Sequence, residues 1–393
     1  ALHHVGQAGV AAALAKMAFG NHLGFAAADS IRQADQERYF AFLVEHTDPL
    51  PSPFQIIGHT TADPVLTLNG ESHALDSLLA AWTGTLEAVY PTKPEIGDRR
   101  SEMEEILSFT SPIHTPPSPI HHPRSTISKP KVLIPCFPGT NSEYDSAKAF
   151  REAGADAEIL VFRNLTARHI DESIKALATQ ISKSQILMFP GGFSAGDEPD
   201  GSAKFIATII RSPRVADAIM ELLKNRDGLI LGICNGFQAL IKTGLVPYGE
   251  IREPNAAAPT LVHNSIGRHI SCYANTRIVS TLSPWLAATS LGEIHTVPVS
   301  HGEGKFYASA DVISALAKSG QIATQYCDAT GLPSMDIAIN PNGSLCAIEG
   351  ITSPCGKVFG KMAHSERAGS LVAKNIAGNK HQPIFEAGVR YFA

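Results

Sequence analysis

The sequence predicts an α/β fold, the larger part of which is a mixed, mostly parallel sheet with helices on both faces. From Lys131 onward, short apolar segments alternate with segments of helical pattern, as expected for βαβ units. Two of the apolar segments run into glycine-containing turns, at residues 191–192 and 232–236. Residues 1–96 lack this regular alternation and predict a separate, smaller α+β module.

Composition is that of an ordinary globular protein. The chain has 393 residues, of which 44% are hydrophobic and 18% charged, enough for a sizeable core and two or three domains. The net charge of −5 argues against a nucleic-acid partner. No apolar run is long enough to span a membrane, and the N-terminus lacks the pattern of a signal peptide. We therefore expect a cytoplasmic protein.

The 6 cysteines are widely spaced and contain no CxxC pair, which predicts free thiols in a reducing compartment. We expect five of them to be small buried residues and treat only Cys234 as chemically active. Ala1 is not an initiator methionine and is predicted to lie within a helix. The chain is therefore expected to be a piece of a longer protein.

The first module, residues 1–96, has several predicted elements. Its helices are predicted at residues 8–17 and 75–89, a buried strand at 39–44, and shorter strands at 56–59 and 64–68. Asn69 and Gly70 form a tight-turn signal.

A proline-rich linker is predicted at residues 97–130. Proline at this density blocks the hydrogen bonds of helices and sheets. The linker also contains His114, His121 and His122, but no cysteine or carboxylate accompanies them at a metal-binding spacing, so we predict no metal site.

The third region, residues 131–393, carries the alternating pattern. Its predicted strands are 132–137, 158–162, 186–189, 229–233, 293–299, 322–326, 345–348 and 357–362, and its predicted helices are 143–153, 167–181 and 215–224. Functional sites in parallel sheets lie beyond the carboxyl ends of the strands. That rule directs attention to the pair Gly191 and Gly192 and to Cys234.

Cys234 follows an apolar strand in the pattern Gly-x-Cys-x-Gly, the thiol counterpart of a nucleophile elbow. Flanking glycines allow strand and helix to approach closely, so the nucleophile is expected to adopt a strained backbone conformation. The adjacent helix N-terminus favours a thiolate. The amides of Asn235 and Gly192 are candidate donors to an oxyanion. The alternative is a merely structural cysteine at a strand end.

A thiol nucleophile needs a base with an orienting carboxylate, and two His-x-Glu pairs could supply them. The pair His364 and Glu366 directly follows an apolar segment and is favoured. The pair His301 and Glu303 is expected to lie in a glycine-flanked loop and to make a salt bridge or a substrate contact.

Six segments occur in the order typical of one family. They are Pro-Gly-Thr-Asn-Ser-Glu at 138–143, Gly-Gly-Phe-Ser-Ala-Gly-Asp at 191–197, Gly-Ile-Cys-Asn-Gly-Phe-Gln at 232–238, Ser-His-Gly-Glu-Gly at 300–304, Asn-Pro-Asn-Gly-Ser at 340–344 and His-Ser-Glu-Arg at 364–367. From Lys131 to the C-terminus the chain thus resembles the glutaminase domain of the phosphoribosylformylglycinamidine synthase family, a class I glutamine amidotransferase with a flavodoxin-like fold.

The resemblance implies Cys234 as nucleophile, His364 as base and Glu366 as its orienting group. Ser365 replaces the family's usual proline between the last two, which alters loop stiffness but removes no catalytic group. The expected oxyanion and substrate contacts are Gly192, Asn235, Gln238, Phe193, Ser300 and His301.

The resemblance also implies that the ammonia from glutamine serves ATP-dependent conversion of formylglycinamide ribonucleotide to formylglycinamidine ribonucleotide in purine synthesis. On this resemblance the glutaminase step is expected to need no cofactor, and ATP and Mg²⁺ are expected to bind an upstream synthetase region outside this chain. Residues 1–95 resemble, more weakly, the end of an aminoimidazole-ribonucleotide-synthase-like module, through Phe19-Gly20-Asn21 and the strand at 39–44. Two alternatives stay open: a silent module that only docks to the synthetase, and another class I amidotransferase or cysteine hydrolase.

Overall fold

The computed structural model describes residues 2–20, 22–28, 31, 41–47, 50–85, 127–193, 202–253 and 255–393. The chain divides into two compact units, Ala1–Pro91 and Thr92–Ala393. Most of the predicted linker, residues 97–126 with His114, His121 and His122, lies outside the described residues. So do Tyr39, Phe40, Asn21 and residues 194–197 of the predicted motifs.

The first unit is a small α+β module. Its strands are β1 (Leu2–His4), β2 (Gly24–Ala27), β3 (Phe42–Val44), β4 (Gly58–Thr61), β5 (Val65–Leu68) and β6 (Glu71–Ala74), and its helices are α1 (Gly9–Phe19) and α2 (Leu75–Gly84). Strands β4, β2, β5 and β6 form a four-stranded sheet, and β1 pairs with β3. Both helices cover a core that includes Leu14, Phe25 and Leu66.

Several predictions for this unit need adjustment. Asn69 and Gly70 both have positive φ, at 53° and 86°, and join β5 to β6 as the turn signal predicted. The prediction of a buried strand at 39–44 is only partly right, because Phe42 is 57% exposed. Ala1, which was expected to lie within a helix, is outside the described residues, and the described chain begins with β1 rather than with a helix.

The second unit carries the large sheet. Its strands are β7 (Lys131–Cys136), β8 (Asp156–Val161), β9 (Ile186–Phe189), β10 (Leu229–Ile233), β11 (Thr260–His263), β12 (Ile270–Ile278), β13 (Ile294–His301), β14 (Glu303–Tyr307), β15 (Ile322–Tyr326), β16 (Ile348–Thr352) and β17 (Val358–Lys361). The helices are α3 (Glu143–Glu152), α4 (Ala167–Ile181), α5 (Lys204–Arg211), α6 (Pro213–Lys224), α7 (Asn235–Thr243), α8 (Ala310–Lys318) and α9 (Ile384–Arg390), with a short irregular turn at Leu245–Tyr248 and 3-10 turns at Pro284–Leu286 and Leu345–Ala347.

The described residues of this unit form a nine-stranded sheet in the order β13-β12-β15-β16-β17-β10-β9-β7-β8. From β17 to β8 neighbouring strands run parallel, whereas β16, β15, β12 and β13 add antiparallel pairs. The parallel part, read from β8, has the strand order 2-1-3-4-5 of flavodoxin-like folds. This confirms the predicted mixed α/β fold, although four of the eight pairs of neighbouring strands are parallel and four are antiparallel.

The central parallel strands β9 and β10 are apolar along their whole length because both of their faces are covered. Every residue of β9 and of β10 is buried. The core continues through Phe150, Phe237 and Trp285 on the helices and turns around the sheet. The sequence pattern located these central strands to within about two residues, as expected for continuous apolar runs.

Other predictions in this unit were incomplete or wrong. The strand predicted at 345–348 is largely the 3-10 turn Leu345–Ala347, in which Cys346 and Ala347 have positive φ, and the strand itself begins at Ile348. All six cysteines are free, but the expectation that five are merely buried is wrong for Cys272 and Cys355, which are exposed, and for Cys136, which is half-buried. Within the described part of the chain, no helix is long and apolar enough to cross a membrane.

Candidate active site

The candidate residues meet at the carboxyl edge of the parallel strands. Cys234 follows β10, and its two neighbouring strands are β9 and β17. Gly191 and Gly192 lie two and three residues after the end of β9, and His364 lies three residues after the end of β17. Adjacent strands are about 4.8 Å apart, so this strand order alone brings the three segments within side-chain reach.

Cys234 occupies a sharp turn between β10 and α7. Its backbone has φ 53° and ψ −107°, a region that a non-glycine residue rarely adopts, which confirms the predicted strain. A Cβ on Gly236 would lie 1.9 Å from the carbonyl oxygen of Phe189, and one on Gly232 would lie 2.8 Å from the carbonyl carbon of Gly236. The two glycines are therefore required by the close approach of helix and strand, as the elbow pattern predicted.

His364 is paired with Glu366. Its Nδ1 lies 2.6 Å from Oε1 of the carboxylate, and both residues are buried. Burial by itself would lower the pKa of His364, but Glu366 and then Cys234 outweigh it and raise that pKa to about 9. Cys234 is therefore close enough to His364 to raise the pKa of the imidazole, while the thiol hydrogen itself is directed to the carbonyl oxygen of Ser300.

The carboxylate of Glu366 stays ionised in this buried position. Burial would raise its pKa, but His364, together with Arg367, holds the pKa of Glu366 below its usual value. The guanidinium of Arg367 also donates a hydrogen bond of 2.9 Å to Oγ of Ser142, at the N-terminal end of α3. The His-Ser-Glu-Arg segment is thereby joined to the turn after β7.

The second His-x-Glu pair is arranged differently. His301 ends β13 and Glu303 begins β14, and both are buried, so the expectation of a glycine-flanked loop is wrong. The carboxylate of Glu303 accepts hydrogen bonds from the backbone and side chain of Ser202 at 2.8 and 3.0 Å and lies 3.1 Å from Nζ of Lys242. Both partners of Glu303 thus come from other segments of the chain, and it does not pair with His301 within the described structure.

His301 is a neutral imidazole. Burial, followed by repulsion from His364 and His269, lowers the pKa of His301 to about 3. Its Nδ1 lies 3.2 Å from Oδ1 of Asn264, whose amide nitrogen already donates to two carbonyl groups, so Nδ1 carries the proton. Among the described residues Nε2 has no hydrogen-bond partner. His301 is therefore unsuited to act as a charged partner of Cys234.

The thiol is hydrogen-bonded to one member of a group of three neighbouring residues, Ser300, His269 and Phe193. The sulfur of Cys234 donates a hydrogen bond of 3.6 Å to the carbonyl oxygen of Ser300. Oγ of Ser300 is 3.0 Å from Nε2 of His269, whose pKa is lowered by burial. The ring of Phe193 is 43% exposed and lies 5.8 Å, centroid to centroid, from that of His269. Two predicted substrate contacts, Ser300 and Phe193, thus belong to one group of side chains.

The other predicted contacts surround the elbow. Gly192 pairs with Thr140, and a Cβ on Gly192 would lie 2.3 Å from the carbonyl oxygen of Gly139. Asn235 is the first residue of α7, and its side-chain amide donates 2.8 Å to Oε1 of Gln238. The amide nitrogen of Gln238 donates to the carbonyl oxygen of Glu303. The Gln238 side chain therefore joins α7 to β14 in this structure, and its predicted role toward substrate stays a prediction.

Several residues near the site could not be recognised from the sequence. Asn264 and His269 are isolated polar residues outside the six segments, and Lys361 and Glu349 lie within otherwise apolar strands. Only the tertiary fold brings these residues close to Cys234, His364 and Glu366. Within the described residues, no group of three or more His, Cys, Asp or Glu side chains could hold a metal ion.

Comparison with known proteins assigns the family. Residues 129–392 match the CobB/CobQ-like glutamine amidotransferase domain. The chain belongs to this glutamine amidotransferase family. It is also 32% identical over 234 residues to phosphoribosylformylglycinamidine synthase subunit PurQ of Thermomicrobium roseum, covering 59% of this chain and 85% of that protein.

Other relatives of this amidotransferase carry the same name. PurQ of Methanococcus maripaludis is 36% identical over 241 residues, 61% of this chain and 82% of that protein. PurQ of Rhodospirillum rubrum is 34% identical over 251 residues, 64% of this chain and 94% of that protein. The structure of PurLQS from Thermotoga maritima is similar over 67% of this chain and 100% of that one, with 25% identity and a TM-score of 0.49. The match to the amidotransferase domain and the named PurQ relatives confirm the resemblance to the glutaminase part of the phosphoribosylformylglycinamidine synthase family.

Proposed function

We propose that this amidotransferase hydrolyses glutamine through a thioester on Cys234. The observation that carries the proposal is a thiol held at positive φ near the buried imidazole of His364, whose Nδ1 is 2.6 Å from Oε1 of Glu366. This arrangement of nucleophile, base and orienting carboxylate is the one that acyl transfer requires.

The first half-reaction uses the imidazolium of His364. With its pKa raised to about 9, His364 is protonated at neutral pH and favours a thiolate on Cys234. The thiolate attacks the side-chain amide carbon of glutamine, and the carbonyl oxygen becomes an oxyanion. His364 then protonates the amide nitrogen and the carbon–nitrogen bond breaks. Ammonia departs, and a γ-glutamyl thioester remains on Cys234.

The second half-reaction reverses the proton movement. Neutral His364 takes a proton from water, which attacks the thioester carbon and releases glutamate from the sulfur. Glu366 holds Nδ1 of the imidazole throughout, so Nε2 faces the reacting groups. No metal or organic cofactor takes part in either half-reaction.

Backbone amides of Gly192 and Asn235 are our candidates for the oxyanion hole. Asn235 follows the nucleophile directly at the N-terminus of α7, where amides point toward the site. Gly192 is buried, and among the described residues no acceptor is found for its amide. Each such donor is worth about 3 kcal/mol of the barrier.

The ammonia is proposed to serve a synthetase. Relatives that share 32–36% identity are named subunits of phosphoribosylformylglycinamidine synthase, which supports a role in converting formylglycinamide ribonucleotide to formylglycinamidine ribonucleotide with ATP and Mg²⁺ bound elsewhere. The six free cysteines are typical of a reducing compartment and support a cytoplasmic location.

Labelling with a chloroketone analogue of glutamine tests the nucleophile. We expect covalent modification of Cys234, with loss of glutamate release, in the wild type. Cys234→Ala should be neither labelled at this position nor able to release glutamate. Cys355→Ala, which removes an exposed thiol, is the matched control and should behave as the wild type. Undiminished labelling of Cys234→Ala would rule out this mechanism.

Two measurements distinguish a glutaminase from a general cysteine hydrolase and from a silent docking module. A glutaminase should hydrolyse glutamine far faster than unrelated amides or thioesters, whereas a general cysteine hydrolase should not discriminate. Adding the synthetase should increase glutamine hydrolysis if that partner controls the site. A chain that stays inactive with its synthetase present would instead support a docking role.

A further inference from the structure

A buried ion pair lies directly behind the triad. Lys361, the last residue of β17, has Nζ 3.4 Å from Oε1 of Glu349 on β16, and both side chains are 0% exposed. The same carboxylate oxygen accepts the backbone amide of Ala363 at 2.7 Å. Burying two charges costs several kcal/mol of desolvation each, so packing alone does not explain the pair.

Lys361 connects both halves of the catalytic apparatus. Its backbone carbonyl accepts the amide of Cys234 at 2.8 Å. Its ammonium donates to the carbonyl oxygen of Ala363 at 2.7 Å and to Oγ of Ser365 at 2.9 Å, the residues on either side of His364. One residue thus holds the elbow through its backbone and the imidazole segment through its side chain.

Ser365 links Lys361 to a further buried residue, Gln382. Its hydroxyl accepts from Lys361 and donates 2.5 Å to Oε1 of Gln382, which is also buried. Ser365 stands where the resembled family has proline, a residue without any side-chain donor or acceptor. Position 365, which a proline ring would stiffen, is therefore part of a buried polar chain. The members of this chain are Glu349, Lys361, Ser365 and Gln382.

We propose that Lys361 is a positioning residue of this glutaminase and acts through Ser365 to fix the imidazole of His364 opposite Cys234. The proposal rests on the function proposed above. In this chain, hydrogen bonds from Lys361 and Gln382 to Ser365 would restrict the backbone, as the ring of proline does by fixing φ. Positioned groups lose much of their effect when displaced by about 1 Å.

Ser365→Ala is the decisive variant. It removes the link from Lys361 to Gln382 but leaves the ion pair with Glu349 intact. Lys361→Met is unsuitable alone, because it leaves the Glu349 charge buried without its partner and is expected to unfold the protein. We expect Ser365→Ala to reduce kcat for glutamine hydrolysis about 10- to 100-fold with KM for glutamine unchanged.

Two further variants separate positioning from stability. Ser353→Ala removes another buried serine hydroxyl, which accepts the amide of Val358 at 3.1 Å at the opposite end of β17, and should leave kcat unchanged. Ser365→Pro should recover most of the kcat that Ser365→Ala loses, because the ring restores backbone order. Wild-type kcat in Ser365→Ala, or a folded proline variant as slow as the alanine variant, would overturn the positioning role.

Alkylation of Cys234 by iodoacetamide provides a readout that needs no glutamine. It depends on the thiolate–imidazolium contact, so its rate, followed by mass spectrometry of the Cys234 peptide, should fall in Ser365→Ala and recover in Ser365→Pro. A wild-type chain that alkylates rapidly but never hydrolyses glutamine would contradict the proposed function alone. Equal alkylation rates in the wild type and Ser365→Ala would contradict the role of Lys361.

Discussion

Nδ1 of His364 lies 2.6 Å from Oε1 of Glu366, and the pair is buried beside the sulfur of Cys234. At this distance the carboxylate fixes which imidazole nitrogen faces the thiol and stabilises the imidazolium. The strained turn holds Cys234 in place beside this pair. Each of the following expectations depends on the arrangement of Cys234, His364 and Glu366.

Glu366→Gln should reduce kcat for glutamine hydrolysis by about 10³- to 10⁴-fold, because the amide keeps the shape but loses the charge that stabilises the imidazolium. Steady-state release of glutamate measures the effect. The matched control is Glu386→Gln, which alters a partly exposed Glu–His pair, His381 to Glu386 at 3.2 Å. Similar losses in both variants would mean that the effect is not specific to the triad.

Gly191→Ala should impair catalysis while leaving the fold intact. A Cβ there would lie 2.6 Å from Cε1 of His364, so the ring must shift, and we expect kcat to fall about 100-fold. Gly302→Ala is the control, because its added Cβ would meet no atom closer than 3.9 Å. Circular dichroism and thermal unfolding should match the wild type for both. Full activity in Gly191→Ala would show that the imidazole need not occupy this position.

The pKa of His364 should fall when the thiol is removed. Glu366 and Cys234 together outweigh burial and raise this pKa to about 9, so Cys234→Ala should lower it toward the value set by burial and Glu366. Titration of the imidazole by NMR in the two proteins measures the change. An unchanged His364 titration would mean that thiol and imidazole do not interact.

Stability should depend on pH through His364. Its folded pKa of about 9 exceeds the usual value of 6.5, so its contribution to stability is fully present below about pH 6.5 and is lost as pH rises toward 9. The difference in free energy of unfolding between wild type and His364→Gln, measured by urea denaturation at pH 6 and pH 9, should shrink by about 2–3 kcal/mol. A difference that grows with pH would contradict the raised pKa.

The sequence by itself determined the strained turn at Cys234 and the buried parallel strands around it. Gly232, Cys234 and Gly236 lie within one short segment, and a sharp strand–helix turn is encoded locally by residues without Cβ atoms. The continuous apolar runs of β9 and β10 likewise predict buried parallel strands, because their environment is the same on both faces.

Only the tertiary structure decided which histidine meets the thiol. His301 and His364 both stand two residues before a glutamate, so spacing does not separate them. Strand order does, since β17 lies beside β10, while Glu303 is drawn to Ser202 and Lys242 on other elements. The contact of Lys361 with Glu349 and Ser365 arises in the same way, from pairing between strands that no local pattern specifies.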